Sequence, residues 1–167
     1  AFTVFDHYPT QRARGIGAYF DQVMDEIVLA EELGFHSYWV AEHHFHEYGI
    51  ISNPALFLSA AAQRTSRIKL GPSVSILTFR NPLQVAEDYA ILDQLSGGRL
   101  LMGVGSGYLK HEFEGFGIEP AEKRDRFDAS LDILKRAWAG ERIEDRHDWF
   151  RSDGGTLNVL PLQSPHP

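Results

Sequence analysis

Short apolar, β-rich runs alternate along this chain with longer stretches whose apolar residues recur every 3.6 positions. "FTVF" (Phe2–Phe5) is the first run, followed by the turn-like "HYPTQRARGIG". The spacing of Phe20, Val23, Met24, Ile27, Ala30 and Leu33 then predicts an amphipathic helix stopped by Gly34. "FHSYWVA" is a second strand. "SNPALFLSAAAQRTS" is a second helix, with Asn53 as N-cap and Pro54 at the first helical position, where a missing N–H costs nothing. "RIKLGPSVSIL" is expected as a single third strand. "NPLQVAEDYAILDQLSGG" repeats the same entry with Asn81 and Pro82, carries its stripe on Val85, Tyr89 and Leu92, and ends at Gly97–Gly98. "RLLMGVGSG" is the fourth strand and "LKHEFEGFG" a loop. "PAEKRDRFDASLDILKRAWAG" is the last clear helix, with Phe127, Leu131, Leu134 and Trp138 on one face, and "WFRSDGGTLNVLPLQSPHP" reads as a β-ribbon excursion.

Strand starts near Phe2, Phe35, Ile68 and Leu100 fall 32 or 33 residues apart, and Arg67-Ile-Lys-Leu-Gly71 is echoed by Arg99-Leu-Leu-Met-Gly103. Strand and helix alternating at this period imply right-handed crossovers and a parallel sheet. A closed (β/α)₈ barrel needs eight such units in about 250 residues. The chain therefore reads as α/β, of TIM-barrel type, with residues 1–167 covering roughly the first four βα units of one domain, cut just before the next strand.

Composition narrows the function. A net charge of −7 without a basic cluster argues against nucleic acid or an anionic membrane as the main partner. The absence of cysteine excludes disulfides, thiolate metal sites and a cysteine nucleophile. With no long apolar run and no leader-like opening, the expected location is the cytoplasm.

Candidate chemistry gathers where strands end. "WVAEHHFHEYG" (Trp39–Gly49) packs three histidines and two glutamates behind the second strand. Strand alternation would put Glu42, His44 and His46 on one side, a possible metal set, and His43 with Phe45 on the other. An acid/base role is the better reading, because imidazole titrates near neutrality and strand C-terminal ends carry the active sites of barrels. A hydrogen-bonded structural cluster is the third. "MGVGSGY" (Met102–Tyr108) is either a phosphate-cradling turn or a glycine-rich rim turn; it is not the dinucleotide fingerprint, since Tyr108 stands where the last glycine belongs. Lys123, Arg124 and Arg126 open the last helix, where cations oppose its dipole unless an anion docks there. Ser73 and Ser75 are either plain strand serines or a mark of irregular backbone against which something flat lies.

"EHHF" after "GFHSYWVA", the helix starting "NPALF", "RIKLGPSVSILTFRNPLQVAEDYAILDQLSGGRLLMGVGSGY", "EFEGFG" and "PLQSPHP" occur in this order over nearly the whole chain. As an ordered set they resemble the bacterial luciferase-like family of flavin-dependent monooxygenases. The resemblance implies a (β/α)₈ barrel, reduced FMN delivered by a separate reductase, O₂ and a small organic substrate. A deazaflavin with hydride transfer is the alternative within the superfamily, and a non-catalytic flavin-binding or assembly fragment the alternative outside enzymes. It further implies that His43 lies beside the flavin and assists its oxygen chemistry, and that Ser73–Val74 is the non-proline cis peptide under the ring. Gly105 and Ser106 would line the cofactor, Arg124 would bind its phosphate, and no metal is expected. Luciferase proper carries a cysteine–arginine pair at the positions of Gly105 and Ser106, which favours a generic luciferase-like monooxygenase over light emission. A homodimer through the helices over 52–66 and 81–98 completes the expectation.

Overall fold

The computed structural model describes residues 2–4, 15–46 and 49–167. The turn expected after the first strand and Glu47 of the histidine stretch lie outside the described residues. In chain order the elements are β1 (Phe2–Val4), α1 (Ile16–Glu32), β2 (Ser37–Val40), α2 (Pro54–Arg64), β3 (Lys69–Pro72), β4 (Ser75–Ile76) and α3 (Pro82–Ser96). They continue with β5 (Val104–Gly105), α4 (Lys110–Phe116), α5 (Lys123–Trp138), β6 (Ile143–His147) and β7 (Phe150–Gly155).

The predicted helix starts are built as the sequence dictates. Asn53 Oδ1 accepts the Leu56 amide at 3.1 Å, and Asn81 Oδ1 accepts the Leu83 amide at 2.9 Å, each with proline following in the first helical position. The α1 stripe is buried through Val23, Met24, Ile27 and Ala30, but Leu33 lies beyond the helix end and is exposed. "LKHEFEGFG" is not a loop: α4 occupies it, and Gly117 closes the helix in the left-handed region at φ 66°.

Strands β1, β2 and β3 form a parallel sheet in that order, in register Phe2↔Tyr38 and Tyr38↔Leu70. The expected third strand is split. Leu70 exchanges bonds with Arg99 and Leu101, donating to the first at 3.0 Å and accepting from the second at 2.9 Å. Pro72 occupies the next position facing that neighbour and has no N–H to give, so the ladder lapses there. It resumes where the Ser75 amide donates to the Gly103 carbonyl at 2.8 Å, and β4 then pairs with β5 in parallel. Backbones approach closely at this seam. A Cβ on Gly71 would lie 2.4 Å from the Leu101 carbonyl oxygen and 2.6 Å from the Trp39 ring.

Helices α2, α3 and α5 cover this sheet around a core that includes Ile27, Tyr38, Leu58, Leu70, Tyr89 and Leu134. Trp138 fixes α5 to α3 by donating its indole N–H to the Ala86 carbonyl at 2.9 Å. The tail is the expected ribbon, begun earlier than the sequence indicates: β6 and β7 form an antiparallel hairpin from Ile143 to Gly155. Among the described residues, no helix is long and apolar enough to cross a membrane.

Two charged groups tie helix ends to strand starts. The buried Arg99 guanidinium donates to the carbonyls of Ser96, Ile68, Ala62 and Thr65, gathering the ends of α2 and α3 around the start of β3. The Glu31 carboxylate at the end of α1 accepts the amides of Ser66, Arg67 and Ile68 at 3.0, 2.6 and 2.8 Å. Burial alone would raise this carboxyl, but the amides of Ile68, Arg67 and Ser66, with the Arg67 charge, outweigh it and hold it at about 2, down from its ordinary 4.5.

A depressed carboxyl stabilises the fold above its unfolded pKa, and that contribution is lost as pH falls from about 4.5 towards 2. Glu31→Gln should therefore destabilise the protein by about 1 kcal/mol near neutrality. It should also flatten the loss of stability through that acid window. Denaturant unfolding at several pH values checks both, and a parallel downward shift at every pH would rule out the charged-acceptor role.

Candidate active site

Regular pairing ends at Val40, and the chain leaves β2 through Ala41–His46 over the C-terminal ends of the parallel strands. Two carboxylates organise this exit. Glu42 and Glu112 are 2% and 1% exposed. Glu112 Oε1 lies 3.2 Å from His43 Nδ1 and accepts the His44 amide at 3.0 Å. Glu42 Oε1 lies 3.0 Å from His44 Nε2, while its Oε2 accepts the Ile76 amide at 3.2 Å. The loop, α4 and β4 are thus joined by two adjacent histidine–carboxylate pairs.

Strand alternation predicts part of this. Glu42 and His44 do meet although the strand has ended. His46 instead packs its ring against His111, centroids 5.0 Å apart. Among the described residues, no three His, Asp or Glu side chains are arranged to hold a metal ion, and Glu42 engages His44 Nε2 and the Ile76 amide instead.

A cavity of about 360 Å³ opens beside these pairs, inside the range usual for small-molecule sites. Its lining includes Glu42, His43, Ser73, Val74, Gly105 and Ser106. Five of the six residues singled out in the sequence are therefore neighbours in space, drawn from the ends of β2, β3 and β5. The Ser73–Val74 peptide bond, expected to be cis, is cis. Val74 reaches across to β5, so that a Cβ on Gly105 would come within 2.5 Å of its Cγ2.

Arg124 stands apart from this lining. Its side chain is 75% exposed and its Nε lies 3.2 Å from Asp128 Oδ2. The start of α5 is nevertheless tied to the cavity, because Thr78 Oγ1 sits 2.9 Å from the Ser106 carbonyl oxygen and 3.4 Å from that of Lys123. Arg126 is engaged elsewhere, bonded to Glu122 at 2.8 Å and stacked over Trp149.

Sequence reasoning missed Glu112, which it left in a loop. The signal was present: Leu109, Phe113 and Phe116 keep helical spacing ahead of Gly117. It missed the aromatic rim as well. Phe79 stacks on Phe116 and meets Phe113 edge-on, ring centroids 4.9 Å apart in both, and His44 meets Phe116 edge-on with centroids 4.8 Å apart. Phe45, at φ 57°, covers the outside of Phe116.

Comparison with known proteins bears on this arrangement. Residues 1–167 match the family model of the luciferase-like monooxygenases. Limonene 1,2-monooxygenase of Rhodococcus erythropolis is 39% identical over 143 residues, 86% of this chain and 37% of that protein. An F420-dependent glucose-6-phosphate dehydrogenase of Amycolatopsis mediterranei is 33% identical over 148 residues, 84% of this chain and 44% of that protein. Among solved structures, monooxygenase RslO1 from Streptomyces bottropensis superposes with a TM-score of 0.90 at 36% identity, covering 100% of this chain and 52% of that one. The oxygenating constituent of 3,6-diketocamphane monooxygenase from Pseudomonas putida, in complex with FMN, gives 0.81 at 28%, covering 91% and 42%. The chain spans about half, or less, of the length of these relatives.

The contact between Gly105 and Val74 makes a direct prediction. Val74 is β-branched and stiff at χ1, so Gly105→Ala should cost about 1–3 kcal/mol of stability through overpacking. Thermal unfolding measures it, and an unchanged midpoint would mean that Val74 gives way freely.

Proposed function

Because the chain belongs to the luciferase-like monooxygenase family, we propose that it forms the N-terminal half of a (β/α)₈ barrel enzyme. On this reading the enzyme uses reduced FMN and O₂ to oxygenate a small organic substrate in the cytoplasm. The observation that carries the reading is the single cavity in which His43, Ser73–Val74 and Gly105–Ser106 converge at the strand ends.

The lining suits a flat, largely apolar ring with a polar edge. Val74 and Ile76 offer apolar surface, the backbone at Gly105 and Gly107 carries no side chain, and Ser73 and Ser106 add polar groups to the lining. Bound reduced flavin would supply the electrons that activate O₂. The chain's own residues do the rest: His43 holds or moves a proton beside the ring, and the phenylalanine rim of Phe79, Phe113 and Phe116 excludes water. Lys123 and Arg124 lie where a phosphate would meet the N-terminus of α5. The Arg124–Asp128 pair is solvent-exposed, and such a pair is weak enough to exchange for an anion.

Two partners follow. The FMN-bound relative is named as one constituent of its enzyme, which supports a separate flavin reductase as the source of reduced cofactor. Leu56 on α2 and Ile91 and Leu95 on α3 are exposed apolar residues on neighbouring helices, which supports a homodimer through those helices. One specific observation favours a second reading: the similarity to an F420-dependent dehydrogenase would fit a deazaflavin in the same cavity, with hydride transfer replacing oxygenation.

Anaerobic titration of the full-length protein with reduced FMN, and separately with reduced F420, discriminates the two. Saturable binding with preference for FMN is expected; preference for F420 would move the enzyme to hydride transfer. His43→Ala should lower the yield of oxygenated product per flavin oxidised by about tenfold or more, with a smaller effect on flavin affinity. A large loss of affinity with unchanged yield would overturn the acid/base role.

A further inference from the structure

The two carboxylates of the site meet different nitrogens on adjacent imidazoles. Glu112 Oε1 faces Nδ1 of His43 at 3.2 Å, whereas Glu42 Oε1 faces Nε2 of His44 at 3.0 Å. Each carboxylate already serves as an acceptor from backbone, Glu112 from the His44 amide and Glu42 from the Ile76 amide. With each carboxyl already an acceptor from backbone, the ring is assigned as the donor in each pair.

We propose that Glu112 is the positioning residue of the site, holding His43 as the Nδ1–H tautomer while Glu42 holds its neighbour His44 as the opposite, Nε2–H tautomer. A ring protonated at Nδ1 carries its lone pair on Nε2. His43, the member of the pair that lines both the 360 Å³ cavity and the groove beside Phe45 and Phe116, is thereby set to take up a proton at Nε2. Glu112 then faces the imidazolium that results and stabilises it. His44 receives the reverse assignment: its Nε2–H is committed to Glu42, and its role is to fix the loop.

The geometry explains why Glu112 lies on a helix. The first turn of α4 places it, 1% exposed, so that one oxygen reaches both the His43 side chain and the His44 backbone. That double contact fixes the ring's position as well as its proton. A glutamine there could keep both contacts through its one carbonyl oxygen, whereas an alanine removes the acceptor altogether.

The inference rests on the reading of His43 as the acid/base group, but its test needs no turnover. The full-length protein, labelled with ¹⁵N at the histidine rings, is examined by long-range ¹H–¹⁵N correlation at a pH where the imidazoles are neutral. His43→Gln and His44→Gln variants assign the signals. Expected are an Nδ1–H pattern for His43 and an Nε2–H pattern for His44 in the wild-type protein. Glu112→Ala should shift His43 alone towards Nε2–H, with Glu112→Gln, whose carbonyl oxygen can replace the shared oxygen, restoring Nδ1–H and His44 unchanged throughout as the internal control. Finding His43 as Nε2–H in the wild-type protein overturns the proposal without recourse to any variant. So does an unaltered Nδ1–H pattern in Glu112→Ala. Normal tautomers with no oxygenation would instead count against the monooxygenase reading alone.

Discussion

Two carboxylates removed from water set the terms for this site. A buried carboxylate is tolerable only where donors replace its hydration, and Glu42 and Glu112 obtain theirs from two segments, the β2 exit and β4. The donors are the amides of His44 and Ile76 and the rings of His43 and His44. Removing any one element leaves a charge or a backbone amide unsatisfied, so the β2 exit, β4 and α4 must assemble together. The irregular backbone after Val40 is in this sense over-determined. The chain there has left the sheet, yet each carboxylate bonds both a histidine ring and a backbone amide.

The same economy operates at the opposite end of the strands with a different outcome. Glu31 and Arg99 also collect backbone groups, but those groups are helix ends and strand starts. At one end of the parallel sheet the charges satisfy carbonyls and amides. At the other they satisfy amides and imidazole rings. Between them the ladder lapses at Pro72, the one position facing β5 that has no donor, and the chain crosses from one small sheet to the next just below the cavity. Stability and chemistry are thus assigned to opposite ends of the same strands, joined by a core of Tyr38, Leu70, Tyr89 and Leu100.

The aromatic rim connects the two histidine–carboxylate pairs to solvent. His44, Phe45, Phe79, Phe113 and Phe116 make a chain of ring contacts between 4.8 and 6.2 Å. Such contacts bury one ring on another without asking for polar partners, which suits a wall that keeps water from a titratable group. His44 serves both systems, with its nitrogen on Glu42 and its edge on Phe116. Packing at the rim and proton placement beneath it are therefore coupled through one side chain.

The sequence by itself determined the alternation of strands and helices, because apolar periodicity, the two Asn-Pro entries and the glycine stops are local signals that tertiary contacts had no reason to override. It also picked out His43, Ser73, Val74, Gly105 and Ser106, through the order of their motifs. It could not split the third strand, since the consequence of Pro72 depends on which neighbour that face meets. It left α4 as a loop, for a helix of seven residues rests more on packing than on its own propensity. Only the tertiary structure decided that Glu112, 69 residues from His43 along the chain, shares one oxygen between two histidines. Burial chose the partners there: a carboxylate out of water accepts from whatever donors the fold brings within reach, and that is fixed by packing between elements.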